Sequence, residues 1–426
     1  MPSRQLKPEF IEMLEDMRRL PGGEIFDSLA SELASGSPAV GVRFNSRKAS
    51  VSPCATTALS ADNLRPVPWA LNGFWIDGER PRFTFDPALH QGVYYVQDPS
   101  SMAVGTVVKN LTEGLGPIVC IDACAAPGGK TTAAIDALAD GSLVIANEFD
   151  RQRAEILKEN IIKWGYTDVV VSRGDTSRLA RLGEIADLIL ADVPCSGEGM
   201  MRKDDDAVRQ WSEGLVDRCA CVQREIVANL WKALKPGGFM IYSTCTFNVR
   251  ENEDNVRQLA DELGGEIIEP PLPLACGIAP GLKETAARRF IPGRVRGEGL
   301  FIAVIRKNGS LPDKTKNREQ IEKLLQKNLD IIYRGDETGV QKGKDFIPAH
   351  SRAMAAGLSS DLYPRAEVDY PTAIAYLRRM SVTLEPDVPR GIVLLTFGGL
   401  PLGFVKNLAG RANNLYPKPY AIRQSL

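Results

Sequence analysis

From about Val104 onward, short apolar runs alternate with amphipathic stretches. PIVCIDAC, SLVIANEF, DVVVSRGD, ADLILADVP and GFMIYSTC are each separated by enough chain for a helix. Runs so uniformly apolar suit strands buried on both faces, and the stretches between them suit crossover helices. The pattern therefore predicts an α/β fold built on a parallel sheet. Helices are expected at 129–139, 151–164, 206–234 and 251–263, the third stopped by Lys235-Pro236-Gly237-Gly238 and the fourth by Gly264-Gly265. A last strand is expected at 299–307.

At 426 residues the chain exceeds one hydrophobic core, and about two to four domains are expected. Residues 1–103 read as a small α/β domain, with Phe10, Leu14 and Met17 on one helical face and a strand at 40–45. The core domain spans 104–307. A polar, lysine-rich stretch opens a linker at 308–329. A third small domain, 330–426, carries a helix at 371–380 and strands near 390–397 and 401–406.

Fifty-two basic residues face 53 acidic ones, so bulk charge does not drive polyanion binding. Basic clusters do occur at Arg288, Arg289, Arg294 and Arg296, at Arg306, Lys307, Lys314 and Lys316, and at Lys406, Arg411, Lys418 and Arg423. Any one alone reads as a solvated surface, but three flanking a catalytic core favour local polyanion contacts. Eight irregularly spaced cysteines form neither a disulfide framework nor a paired CxxC zinc site. No leader pattern opens the chain and no apolar run approaches the ~18 residues of a membrane span. A cytoplasmic, metal-free, monomeric protein with reduced thiols is expected. His90 and His350 are the only histidines, so histidine-based catalysis is disfavoured. Cys, Asp, Lys and backbone must run the chemistry.

The segment DACAAPGGKTT (122–132) joins a strand to a helix, where an open α/β sheet binds its ligand. Pro127, Gly128 and Gly129 permit a tight turn, and Asp122 can accept hydrogen bonds at the strand end. Cys124 stands where a phosphate loop needs glycine, and no G-x-G-x-x-G occurs. The second strand ends in Glu148 and Asp150, about 20 residues beyond the turn, where an acid commonly holds a ribose diol. Asp175 ends the third strand and suits an adenine amino group. Each acid alone reads more simply as a helix cap; together, in strand order, they point to S-adenosylmethionine.

Asp192, Pro194 and Cys195 follow the fourth strand, while Ser243, Thr244 and Cys245 follow the fifth. Adjacent strands lie about 4.8 Å apart, so both thiols should reach one substrate beside the cofactor. Thiolates make and release covalent bonds to electrophilic carbon. Spacing alone lets either cysteine attack. Cys54, Cys120, Cys219, Cys221 and Cys276 lack that position and read as structural, and Cys124 reads as a small loop residue.

DACAAPGGKT, ADVPCSGEGMMRK and LKPGGFMIYSTCTFNVRENED together resemble the Nol/Nop/Sun (Sun/Fmu) family of RNA cytosine carbon-5 methyltransferases. Tyr95 to Ser101 resembles the segment preceding that core. FIPAHSRAMA (346–355), AIAYLRRM (373–380), GGLPLGFVKN (398–407) and NNLYPKPYAIR (413–423) resemble the tail of the bacterial small-subunit ribosomal RNA methyltransferase F type.

The resemblance implies a Rossmann-like class I methyltransferase core between an N-terminal accessory RNA-binding domain and a C-terminal PUA-like RNA-binding domain. It implies 16S ribosomal RNA of the small subunit as partner and S-adenosyl-L-methionine as cofactor. Cys245 is then the nucleophile at cytosine carbon 6, Cys195 promotes product release, and Asp192 binds the base edge. Cys124, Ala125, Ala126, Pro127, Gly128, Gly129, Lys130, Glu148, Asp175 and Asp192 would hold the cofactor, with Lys130 also able to support the Asp192 network. Met200, Met201, Arg202 and Lys203 are expected to line the substrate entrance. One departure stands out: Pro292-Gly293 occupies a place where the family pattern suggests Pro-His. Transfer RNA, DNA cytosine methylation led by Cys195, and a non-catalytic ribosome-assembly role are the competing readings.

Overall fold

The computed structural model describes residues 5–48, 58–310, 316–343, 345–357 and 362–424. Cys54 and Lys314 lie outside the described residues. Strands form at the apolar runs: Val119–Asp122, Leu143–Glu148, Val169–Arg173, Ala186–Asp192 and Leu234–Thr244, all mutually parallel. Leu300–Lys307 joins antiparallel beside the last of these. Alternate residues face opposite ways. Cys120, Val144, Val171, Leu188 and Ile241 therefore fill the core under one face, and Ile121, Ile145, Val170, Ile189 and Met240 fill the other. This two-sided burial is why the runs are apolar without alternation.

Chain order steps outward from Val119–Asp122 to Val169–Arg173, then resumes on the other side of Val119–Asp122 with Ala186–Asp192. The order reverses between these two strands, and a crevice opens at their carboxyl ends. Helix Gly129–Ala137 follows the first strand. Helix Arg151–Trp164 follows the second, capped by Asp150 at its start and by Gly165 in the left-handed region (φ 80°) at its end.

The single helix expected at 206–234 is two, Asp205–Gln210 and Glu213–Trp231. Ser212 breaks it: extended, it accepts a hydrogen bond from the Leu215 amide at 3.1 Å and caps the second helix. Burial of Trp211 fixes the break, with its ring edge-on to Phe10 at 5.2 Å. Phe10 lies on Pro8–Arg18, the helix whose Phe10, Leu14 and Met17 are buried as the spacing predicts.

The N-terminal region adds a four-stranded antiparallel sheet in the order Leu64–Pro66, Gly73–Ile76, Gly41–Phe44, Tyr94–Val96. From it the buried Arg43 reaches the core domain. It ion-pairs with Asp136, donates to Gln97 Oε1 at 2.9 Å and lies 4.6 Å from the Trp164 ring centroid.

The described residues of the expected linker 308–329 end in a helix, as its polar start leading into one implies. Helix Arg318–Asn328 buries Ile321 and Leu325, one turn apart, in the core beneath the sheet. Strand Asp330–Arg334, counted with the last domain in the sequence reading, pairs antiparallel with Val169–Arg173 and extends the central sheet. Beyond it, the hairpin Gly391–Phe397 and Leu400–Asn407 packs with helix Tyr370–Leu377 around a separate core of Tyr376, Leu377, Val393, Leu395 and Val405. Among the described residues no helix is long and apolar enough to cross a membrane.

Candidate active site

Pairing of the fourth and fifth strands sets Asp192 opposite Ser243. Past the strand ends the two loops stay in contact, Val193 N donating to Ser243 O at 3.1 Å and Gly199 N to Cys245 O at 2.8 Å. Gly199 leaves no room for a side chain, because a Cβ there would lie 2.4 Å from the Cys245 carbonyl oxygen. The loops bring Cys195 Sγ within 3.3 Å of Cys245 Sγ. Both thiols are partly buried. The hydrogen bond to Cys245, then burial, pushes the Cys195 thiol upward from its ordinary pKa.

Asp192 has a partner on each oxygen: Lys130 Nζ donates to Oδ2 at 2.8 Å and Ser243 Oγ to Oδ1 at 2.8 Å. Burial works against the Lys130 charge, yet Asp192, Cys245 and Asp122 outweigh it and its pKa is raised. The helix-start lysine thus belongs to the Asp192 network as well as to the cofactor loop. It places a fixed positive charge close to the nucleophile candidate.

The cofactor loop is braced from several sides. Its Pro127 carbonyl accepts from Tyr95 Oη at 3.2 Å and Asn160 Nδ2 at 2.8 Å, and the Ala126 carbonyl accepts from Arg153 at 2.8 Å. Gly128 takes φ 110°, which favours glycine. Glu148, buried at the next strand end, accepts from Ala126 N at 3.3 Å and Asp150 N at 3.0 Å. Asp122 is buried and receives Thr131 Oγ1 at 2.7 Å on one oxygen, while the other has no hydrogen-bond partner among the described residues. Burial pushes its pKa up to about 7.

Asp175 is an exposed cap that accepts from Ser177 N at 2.8 Å, and hydrogen bonds with Ser177 hold its carboxyl below the usual range. Cys124 is partly buried in the loop, and burial raises its thiol pKa. These residues fit a nucleoside cofactor bearing a cationic amino acid: an orphaned buried carboxylate oxygen, a glycine turn and two further acids lie along one edge. Among the described residues no group of three or more His, Cys, Asp or Glu side chains could hold a metal ion.

Other expected contacts are corrected. Arg289 is buried against the equally buried Glu253, and Arg288 donates to the Leu272 carbonyl at 2.6 Å while pairing with Glu269. Neither is a surface charge for RNA. Met201 is buried in the N-terminal core, and buried Arg202 ion-pairs with Glu298 at 2.8 Å, so neither lines an entrance. Met200 and Lys203 are exposed. Gly293 has φ 89°, and a Cβ there would lie 2.6 Å from Ser28 Oγ and 2.9 Å from Glu32 Cγ. Its left-handed backbone and the close Ser28 and Glu32 side chains at the start of helix Leu29–Ser35 therefore disfavour the histidine that the family pattern suggests.

A six-strand parallel-plus-antiparallel core, a glycine turn after its first strand and acids at successive strand ends define a class I methyltransferase. The chain matches the family described as 16S rRNA methyltransferase RsmB/F over residues 116–306, the N-terminal domain of 16S rRNA methyltransferase RsmF over 6–99, and the methyltransferase RsmF PUA domain over 363–422. It is 31% identical to the ribosomal RNA small subunit methyltransferase F of an Escherichia coli strain, across 88% of this chain and 89% of that protein. It is 34% identical to the Serratia proteamaculans protein of the same name, across 75% of this chain and 65% of that one. A methyltransferase homologue from Pyrococcus horikoshii shares 25% identity with a TM-score of 0.55, covering 71% of this chain and all of that one. The chain belongs to the RsmB/F methyltransferase family, whose cofactor is S-adenosylmethionine.

Proposed function

We propose that this protein methylates carbon 5 of a cytosine in 16S ribosomal RNA through a covalent adduct on Cys245. The observation that carries the reading is the 3.3 Å approach of Cys195 to Cys245 beside the Lys130–Asp192 pair. Cytosine carbon 5 is too weak a nucleophile to take a methyl group unaided, so the ring must first be activated at carbon 6. S-adenosylmethionine, when bound, supplies an electrophilic methyl group. Glu148 would hold its ribose, Asp175 its adenine edge, and the free oxygen of Asp122 its ammonium group.

The Cys195 thiol, held protonated, donates to a Cys245 thiolate that Lys130 also stabilises. Cys245 sulfur adds to carbon 6, and the electron pair of the carbon 5–carbon 6 bond moves toward carbon 5. Asp192 would meet the base edge, and the Lys130 ammonium paired with it offsets the developing negative charge. After carbon 5 is methylated, Cys195 releases its proton to solvent and takes the proton from carbon 5. The electron pair left behind reforms the double bond and expels Cys245 as thiolate. One proton is released overall.

A paired base cannot enter such a crevice, so the target nucleotide must be unpaired or flipped. The N-terminal and PUA-type domains would supply the RNA contacts that offset this cost. The test is bisulfite sequencing of total RNA from cells with and without the gene. One cytosine in 16S ribosomal RNA should resist conversion only when the gene is present. An unchanged pattern, with no labelled methyl passing from S-adenosylmethionine to ribosomal RNA in vitro, would overturn the reading.

A further inference from the structure

Behind the two thiols lie two fully buried carboxylates, each on one cysteine loop and each accepting hydrogen bonds from the opposite loop. Glu198 belongs to the Cys195 loop, yet its Oε2 accepts from the amides of Phe247 at 2.7 Å and Asn248 at 3.0 Å, just past Cys245. Glu251 follows the Cys245 loop, yet its Oε2 accepts from Ser196 N at 3.0 Å, just past Cys195. Asn248 Nδ2 bridges them, donating to Glu198 Oε1 and Glu251 Oε1, each at 2.8 Å. Gln223 Nε2 ties Glu251 at 2.7 Å and the Pro194 carbonyl at 2.9 Å, and Trp211 Nε1 holds Glu198 at 3.0 Å. Two buried carboxylates so close together repel one another, and a fold whose only need was stability would be served as well by apolar side chains. What the arrangement adds is geometry: the amide next to Cys195 and the amides two and three residues past Cys245 are fixed by an acceptor on the opposite loop.

We infer that Glu198 and Glu251 are separate positioning residues, Glu198 seating Cys245 for attack and Glu251 seating Cys195 for release. The inference rests on the adduct reading above and divides its two half-reactions between two buried groups. Neither carboxylate reaches solvent, so neither touches substrate.

The test uses the full chain, S-adenosylmethionine and 16S ribosomal RNA fragments, following adduct formation and adduct decay separately on denaturing gels. Glu198→Gln should slow adduct formation at least about tenfold, with no accumulation and unchanged KM for cofactor, since an amide nitrogen replaces an oxygen that accepts from two N–H donors behind the nucleophile. Glu251→Gln should leave formation within about twofold but slow decay at least about tenfold, so that adduct accumulates. Should either variant fail to fold, Trp211→Phe replaces the first and Gln223→Leu the second, each expected to move the same step in the same direction. Equal loss of both steps in both variants, or no change in either, would overturn the inference. Cys245→Ala and Cys195→Ala run alongside: if these fail to abolish and to trap the adduct respectively, the adduct reading itself is at fault.

Discussion

Lys130 Nζ lies 2.8 Å from Asp192 Oδ2, and the far oxygen of the same carboxylate accepts from Ser243 at 2.8 Å. A helix start and two strand ends thereby converge on one carboxylate at the reversal of strand order. In the proposed reaction the lysine charge sits where negative charge would be carried on both Cys245 and the activated ring.

Lys130→Met should remove that compensation while leaving the fold intact, because the position is partly exposed at a helix start. Single-turnover methyl transfer should fall by about 10²-fold, the range for losing one preorganised electrostatic group. RNA affinity should change little. A variant retaining full rate would remove Lys130 from the mechanism.

Gly199→Ala places a methyl group against the Cys245 carbonyl, whose 2.4 Å approach is to backbone that cannot rotate away. The loops must separate, so adduct formation should drop at least about tenfold. Cofactor binding, measured by calorimetry, should be unaffected, because the cofactor loop follows a different strand.

Arg43→Met leaves the buried Asp136 carboxyl without its cation at the junction of the N-terminal sheet and the cofactor helix. Burial already pushes the Asp136 pKa up to about 6 with Arg43 present. Stability should fall by about 3–5 kcal/mol, as for other broken buried pairs. Denaturant unfolding checks this, and a loss within experimental error would contradict it.

His350 is half-buried, but both its ring nitrogens are shut from solvent and neither is hydrogen-bonded among the described residues, its ring edge-on to Tyr416 at 5.1 Å. Burial lowers its pKa from 6.5 to about 3. The unfolded chain therefore binds a proton that the folded one refuses, and stability declines as pH falls below 6.5 toward 3. His350→Phe should flatten the acid limb of a melting-temperature profile between pH 7 and 5. An unchanged limb would show that the ring is solvated.

What could be read from the chain alone follows from which interactions are local. Apolar runs, the glycine turn at Gly128 and the order of strand-end acids depend on near neighbours, so the sheet and the sequence of acids along its edge are legible. Arg288 and Arg289 looked like a surface patch because the buried partner of Arg289, Glu253, stands 36 residues away. Met201 and Arg202 were misplaced for a related reason: they pack under the N-terminal helices, which no local pattern announces. The break at Ser212 carried a signal, a capping serine inside a helical pattern, but what enforces it is Phe10 against Trp211. Glu198 and Glu251 act across loops about 50 residues apart in sequence, and acidic letters in a loop give no hint of such crossing.

Adduct trapping tests the division of labour between the two thiols. Cys195→Ala and Cys245→Ala proteins would each be incubated with S-adenosylmethionine and a 16S ribosomal RNA fragment, then run on a denaturing gel. A stable protein–RNA band is expected with Cys195→Ala and none with Cys245→Ala. A band that persists without Cys245 and vanishes without Cys195 would contradict it.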